Sequence, residues 1–230
     1  MSFVLYGLPL SPFYRKVEAV LLTKGLEYEA EAVNIMPMPD WFKEISPAHR
    51  IPVLRDESIG AEGAAGTIAD SSAICTYLEK VHPAPALYPE DAFAHARAVW
   101  LEEFCDSELA GQIGMGIFRP IAFAVFAQKD PDLATAKKTR DEKLPRLFDY
   151  LEGELASDLG SNGYLVGDAI SIADIAVVSQ LTQMALVIGP PDGARWPGLR
   201  EHYDRITALP CFAGNLEACR KIIPQPWDLD

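Results

Sequence analysis

The sequence predicts an α/β domain followed by an all-α helical-bundle domain, and three observations carry the prediction. Segments with strand and helix patterning alternate only as far as residue 82. His82 to Pro89 then holds three prolines in eight residues, which excludes a helix and marks a stiff linker. From Asp91 onward nearly all the apolar residues recur with helical period. The expected division is residues 1–82, a linker over 83–90 and a helical domain over 91–230, and the 230-residue chain can bury its cores without metal or disulfides.

In the first part, Phe3-Val4-Leu5-Tyr6 ends at Gly7 and reads as a buried strand. Ser11 is a good N-cap, Pro12 suits the first helical position, and Val17, Val20 and Leu21 share one face before Gly25 stops the helix. Tyr28 to Val33 reads as a second strand, a proline-broken loop follows at Pro37 to Pro39, and Asp40 to Ile45 reads as a short helix. Ile51 to Arg55 is a strand whose Pro52 must lie near its start or at an edge, and Gly60 to Gly66 is a flexible turn. Asp70 or Ser71 caps a helix with Ile74, Tyr77, Leu78 and Val81 on one face. Beyond the linker, Ala92 to Gln128 is helical, with Gly111, Gly114, Gly116 and Pro120 expected to bend it, and Leu133 to Ser157 follows. Ser171-Ile172-Ala173-Asp174 is a capping box opening another helix, and shorter helices lie near Leu199–Thr207 and Phe212–Cys219.

Composition narrows the function classes. A net charge of -13, with no basic cluster, repels a polyanion and makes nucleic acid an unexpected partner. The N-terminus lacks the basic stretch of a secretory signal, and residues 175–191 are diluted by Ser179, Gln180, Thr182 and Gln183, so a buried helix rather than a membrane span is expected. Cys75, Cys105, Cys211 and Cys219 form no CxxC pair, which fits free thiols in the cytoplasm. His49, His82, His95 and His202 lie far apart, and phosphate-loop, zinc and nucleophile-elbow motifs are absent, so no metal or nucleotide cofactor is expected.

Three segments carry chemistry. Ser11-Pro12-Phe13 places a hydroxyl at a helix N-terminus just after a strand, a position that favours an anion, although a serine there also serves simply as a cap. Tyr6 and Tyr14 are rival hydroxyls. His49-Arg50-Ile51-Pro52 puts a proline at a strand entrance, where a cis bond would leave the Ile51 main chain free to pair with an extended peptide. Asp70-Ser71 offers polar groups at the next helix start.

Ser-Pro-Phe at 11–13, Ile-Pro-Val-Leu at 51–54, Asp-Ser-Ser-Ala-Ile at 70–74 and Gly-Asp-x-x-Ser-Ile-Ala-Asp at 167–174 occur together in this order, and by them the whole chain resembles the soluble glutathione transferase superfamily. The resemblance implies a thioredoxin-like first domain, Ser11 as the hydroxyl that activates the glutathione thiol, and Pro52 as a cis-proline beside which Ile51 pairs with the cysteinyl backbone. It implies Asp70 and Ser71 at the γ-glutamyl end, Arg50 and His49 at the glycine carboxylate, and a structural role for the Ser171–Asp174 box. Glutathione then enters as co-substrate, and a homodimer is the family's habit. The omega and beta classes carry Cys where Ser11 stands, so disulfide exchange is not expected here, and the zeta-class signature is absent.

The reaction asks little: the glutathione thiol must ionise and be held near an electrophilic carbon. An ordinary thiol titrates near pH ~8.5, and a hydrogen bond to a charged group is worth about 1.5 to 3 kcal/mol, or roughly one to two pKa units. Leu8, Leu10 and Phe13, with Phe118 from the helical domain, are expected to line the pocket of a small apolar electrophile. The alternative is a non-catalytic binding or regulatory protein that keeps the fold.

Overall fold

The computed structural model describes residues 2–229. The chain forms two units, Met1–Leu87 and Tyr88–Asp230, divided inside the expected linker.

The first unit is built on a four-stranded sheet. Strand β1 (Phe3–Gly7) is buried along its whole length and runs into helix α1 (Pro12–Thr23), which returns the chain to the parallel edge strand β2 (Tyr28–Ala32). Helix α2 (Asp40–Ile45) follows, then β3 (Val53–Asp56), antiparallel to β1, and β4 (Thr67–Ile68), antiparallel to β3. The sheet order is β2-β1-β3-β4, and helix α3 (Ser71–Val81) packs against α1. Strand alternation divides the core. Val4, Tyr6 and Val53 pack with Phe42 and Ile45 of α2, and Met38, Ile51 and Ala69 close over that cluster. Strand β3 starts at Val53 rather than at Ile51, because Pro52 has no N–H to give to a ladder.

Two basic side chains organise this unit from within. Lys24, its side chain fully buried, donates to the carbonyls of His82 and Pro85 at 2.8 Å each and pairs with Glu79 at 2.7 Å. It thereby ties the end of α1 to the end of α3 and to the proline-rich segment. Arg55 donates to the carbonyls of Gly60, Gly63 and Ala65 and to the Tyr6 hydroxyl. The expected flexible turn at Gly60–Gly66 is therefore a loop wrapped around a buried guanidinium.

The second unit begins before the expected linker ends. Pro83 to Ala86 are exposed, but Leu87 and Tyr88 are buried, the Tyr88 hydroxyl donating to Glu102 at 3.2 Å. Helix α4 (Ala92–Phe104) continues through wide π-type turns over Cys105–Leu109 and Gly111–Phe123 into a last turn, α5 (Ala124–Phe126). The axis bends by 40° where Ala92–Leu109 meets Gly111–Phe126. The bend falls at Gly111, the first of the three glycines expected to weaken the regular ladder here, while Pro120 lies further along the second segment. Gly116 also permits close packing, since a Cβ there would lie 2.5 Å from Thr139 Oγ1.

The expected single helix over Leu133 to Ser157 is two, α6 (Leu133–Glu142) and α7 (Leu144–Leu155), because Pro145 starts a new helix at its first turn. Helix α8 (Ile172–Ile188) is buried on all sides except at Ala185 and Ile188, and α9 (Pro197–Thr207) and α10 (Pro210–Ile222) complete the unit. Asp174 caps α8 as predicted: its carboxylate accepts the Ser171 N–H at 2.8 Å, the Ser171 hydroxyl at 2.9 Å and the Leu165 N–H at 2.9 Å. No single helix among the described residues is long and apolar enough to cross a membrane.

Candidate active site

Strand register brings the three predicted segments to one end of the sheet. Tyr6 lies opposite Val53 and Leu54 opposite Ile68, so the end of β1, the start of β3 and the end of β4 share an edge. Ser11 follows β1, Ile51 and Pro52 precede β3, and Asp70 and Ser71 follow β4. Gly7 marks how tightly this edge is packed: a Cβ there would lie 2.6 Å from the Tyr14 ring and 3.5 Å from Ile51 Cβ.

Ser11 caps α1. Its Oγ accepts the Tyr14 N–H at 3.3 Å, and its own N–H donates to the Leu8 carbonyl at 3.0 Å. An oxygen used this way still carries a proton to donate. Arg15 steadies the approach by donating to the Pro9 carbonyl at 3.2 Å. The helix end adds a partial positive charge to the same place.

The Ile51–Pro52 peptide bond is cis, and Pro52 is buried. His49 and Arg50 are exposed on the loop before it, His49 in the left-handed region at φ 53°. Asp70 is the N-cap of α3: its Oδ1 accepts the N–H groups of Ser72 and Ala73 at 3.0 Å each, while the residue remains exposed. Ser71 is buried in the first turn, and Lys16 of α1 donates to Ser72 at 3.0 Å, linking the two helix starts.

The rival hydroxyls are placed differently. Tyr6 is 7% exposed and its hydroxyl accepts from Arg55 at 3.3 Å. Tyr14 is 3% exposed, and burial, reinforced by the charge of Glu18, pushes its phenol well above the ordinary range. Leu8, Leu10 and Phe13 are half-buried around Ser11, presenting apolar surface. Phe118 differs from expectation: it is 3% exposed with its ring edge-on to Phe123, which leaves little of it for a ligand.

Family comparison bears on what such an edge is for. The N-terminal domain of glutathione S-transferases matches residues 5–86, and their C-terminal domain matches residues 114–210. Glutathione S-transferase 3 of Zea mays is 31% identical over 96% of this chain and 95% of its own length. This chain belongs to the glutathione S-transferase family. A probable maleylacetoacetate isomerase of Vibrio cholerae is 28% identical over 93% of this chain and 94% of its own. A glutathione S-transferase structure from Rhodospirillum rubrum superposes with a TM-score of 0.81 at 25% identity, covering 93% of this chain and 91% of that one.

Glutathione S-transferase chemistry in general is thus the activity of this chain, and glutathione is the substrate shared across the family. Sequence reasoning missed Ser46 and Arg15, which bond the main chain beside this edge of the glutathione S-transferase, and Arg55, which anchors the loop at the far end of the sheet. Burial of an arginine leaves no mark in a single sequence. Ser46, followed by Pro47, carried the only signal, that of a short hydroxyl able to bond nearby main chain.

Proposed function

We propose that the chain ionises the thiol of glutathione through a hydrogen bond donated by Ser11 and delivers the thiolate to a small apolar electrophile. The observation that carries this reading is the arrangement at the head of α1, where Ser11 Oγ accepts the Tyr14 N–H and keeps a proton to donate. Both tyrosine rivals are buried, and Arg55 engages one of them. One charge-assisted hydrogen bond, worth about 1.5 to 3 kcal/mol, lowers a thiol's midpoint by roughly one to two units, and with the helix N-terminus beside it this brings the thiol to neutral pH.

In this reading Ile51 pairs with the cysteinyl backbone, Asp70 and Ser71 meet the γ-glutamyl end, and Arg50 with His49 meets the glycine carboxylate. Leu8, Leu10 and Phe13 offer apolar contact to the second substrate. A homodimer in the cytoplasm fits the family's habit. Retention on immobilised glutathione, followed by a panel of apolar electrophiles with the wild type and Ser11→Ala, tests the assignment. Retention without turnover of any electrophile would favour a non-catalytic binding protein. Because a relative is named as a probable maleylacetoacetate isomerase, glutathione-dependent isomerisation is the second reading, and maleylacetoacetate belongs in the panel.

A further inference from the structure

We propose that Ser46 is a positioning residue for glutathione, setting the loop that carries Arg50 and Ile51; the inference rests on the reading of this edge as the glutathione site. Ser46 is fully buried, at 0% exposure, directly after α2. Its hydroxyl is used in both directions by one residue: Oγ donates to the Arg50 carbonyl at 2.7 Å and accepts the Arg50 N–H at 3.1 Å. The Ser46 carbonyl takes the His49 N–H at 2.8 Å, and the Ser46 N–H is anchored on the Phe42 carbonyl at 2.9 Å. The five residues from Ser46 to Arg50 are therefore closed into a loop whose far end is tied to α2 through one side chain.

This closure has two consequences for a peptide ligand. It holds the main-chain N–H and C=O of Arg50 internally, so that the Arg50 side chain alone faces out. It also fixes the approach to Ile51, the residue immediately before the cis-proline, which packs over the Val4, Tyr6 and Val53 cluster. An extended peptide docks by its main chain, and the ordering of the receiving segment sets how much of that binding is retained. His49 in the left-handed region shows how tightly the loop turns.

The test separates position from chemistry. Ser46→Ala is expected to raise the Kd and KM for glutathione about fivefold, the size expected when modest hydrogen bonds are lost, with kcat and the pH midpoint of turnover unchanged. The penalty should be smaller for γ-glutamylcysteine, which lacks the glycine carboxylate. Hydrogen exchange at the Arg50 amide should speed up in the same variant, while Ser46→Thr, which keeps the hydroxyl, retains protection and affinity. Unchanged glutathione affinity in a Ser46→Ala protein with exposed Arg50 amide overturns the proposal, as does an equal loss in Ser46→Thr. If the wild type itself fails to bind glutathione, it is the reading of the site that fails.

Discussion

One oxygen at the head of α1 meets two demands, capping the helix and, in the proposed reaction, donating to a thiolate. Ser11→Ala is expected to move the pH midpoint of glutathione-dependent turnover upward by about one to two units and to lower the neutral-pH rate. Loss of the cap alone costs about 1 kcal/mol of stability, so Ser11→Gly, which caps nearly as well, distinguishes the two roles. A Ser11→Gly protein with wild-type midpoint, or a Tyr6→Phe or Tyr14→Phe protein that loses it, would remove Ser11 from the chemistry. In the same proposed reading, Asp70 carries a similar double duty, capping α3 and meeting the γ-glutamyl end. Asparagine caps as well as aspartate, so Asp70→Asn should leave the melting temperature in place while raising the KM for glutathione far more than it lowers kcat. Steady-state kinetics with an unchanged KM would contradict the γ-glutamyl contact.

At the scale of elements, much is legible because local chemistry decides it. The Ser11 and Asp70 caps, the capping box at Ser171 and the strand of Phe3 to Gly7 follow from residue types at fixed spacing. The break at Lys143 escapes such reasoning because apolar periodicity runs through it, and Pro145 reads equally as a start or an interruption. What sequence could not show is long-range anchoring. Lys24 looks like a surface charge near a helix end, yet it is enclosed by Glu79 and two carbonyls. Lys24→Met should therefore destabilise the first unit by about 3 kcal/mol, since it strands a carboxylate and two carbonyl groups. Urea unfolding measures this directly, and a change below about 1 kcal/mol would mean that water replaces the ammonium at little cost.

At the scale of the whole molecule, one buried pair ties stability to acid. His202 and Asp174 approach to 3.6 Å, both almost fully enclosed, with Arg205 and the Gly163 carbonyl beside the imidazole. Burial holds the His202 imidazole below its ordinary value, and burial raises the Asp174 carboxyl. The folded chain thus takes up a proton at His202 less readily than the unfolded chain does. The stability tied to it is present above the ordinary imidazole value and is lost as pH falls from there through the lowered folded value, while Asp174 contributes with the opposite sign, its share present below the ordinary carboxylate value and lost as pH rises through the raised folded one. Between about pH 8 and 5.5, His202→Gln should flatten the fall in melting temperature seen in the wild type; parallel curves would show that His202 is not the group responsible. The four cysteines are also buried, at Cys75, Cys105, Cys211 and Cys219. A catalyst that works among soft electrophiles risks alkylating itself, and enclosed sulfur reacts slowly. In the proposed reaction, sealing its own thiols directs such reagents to the bound tripeptide, so that the protein would outlast the compounds it consumes.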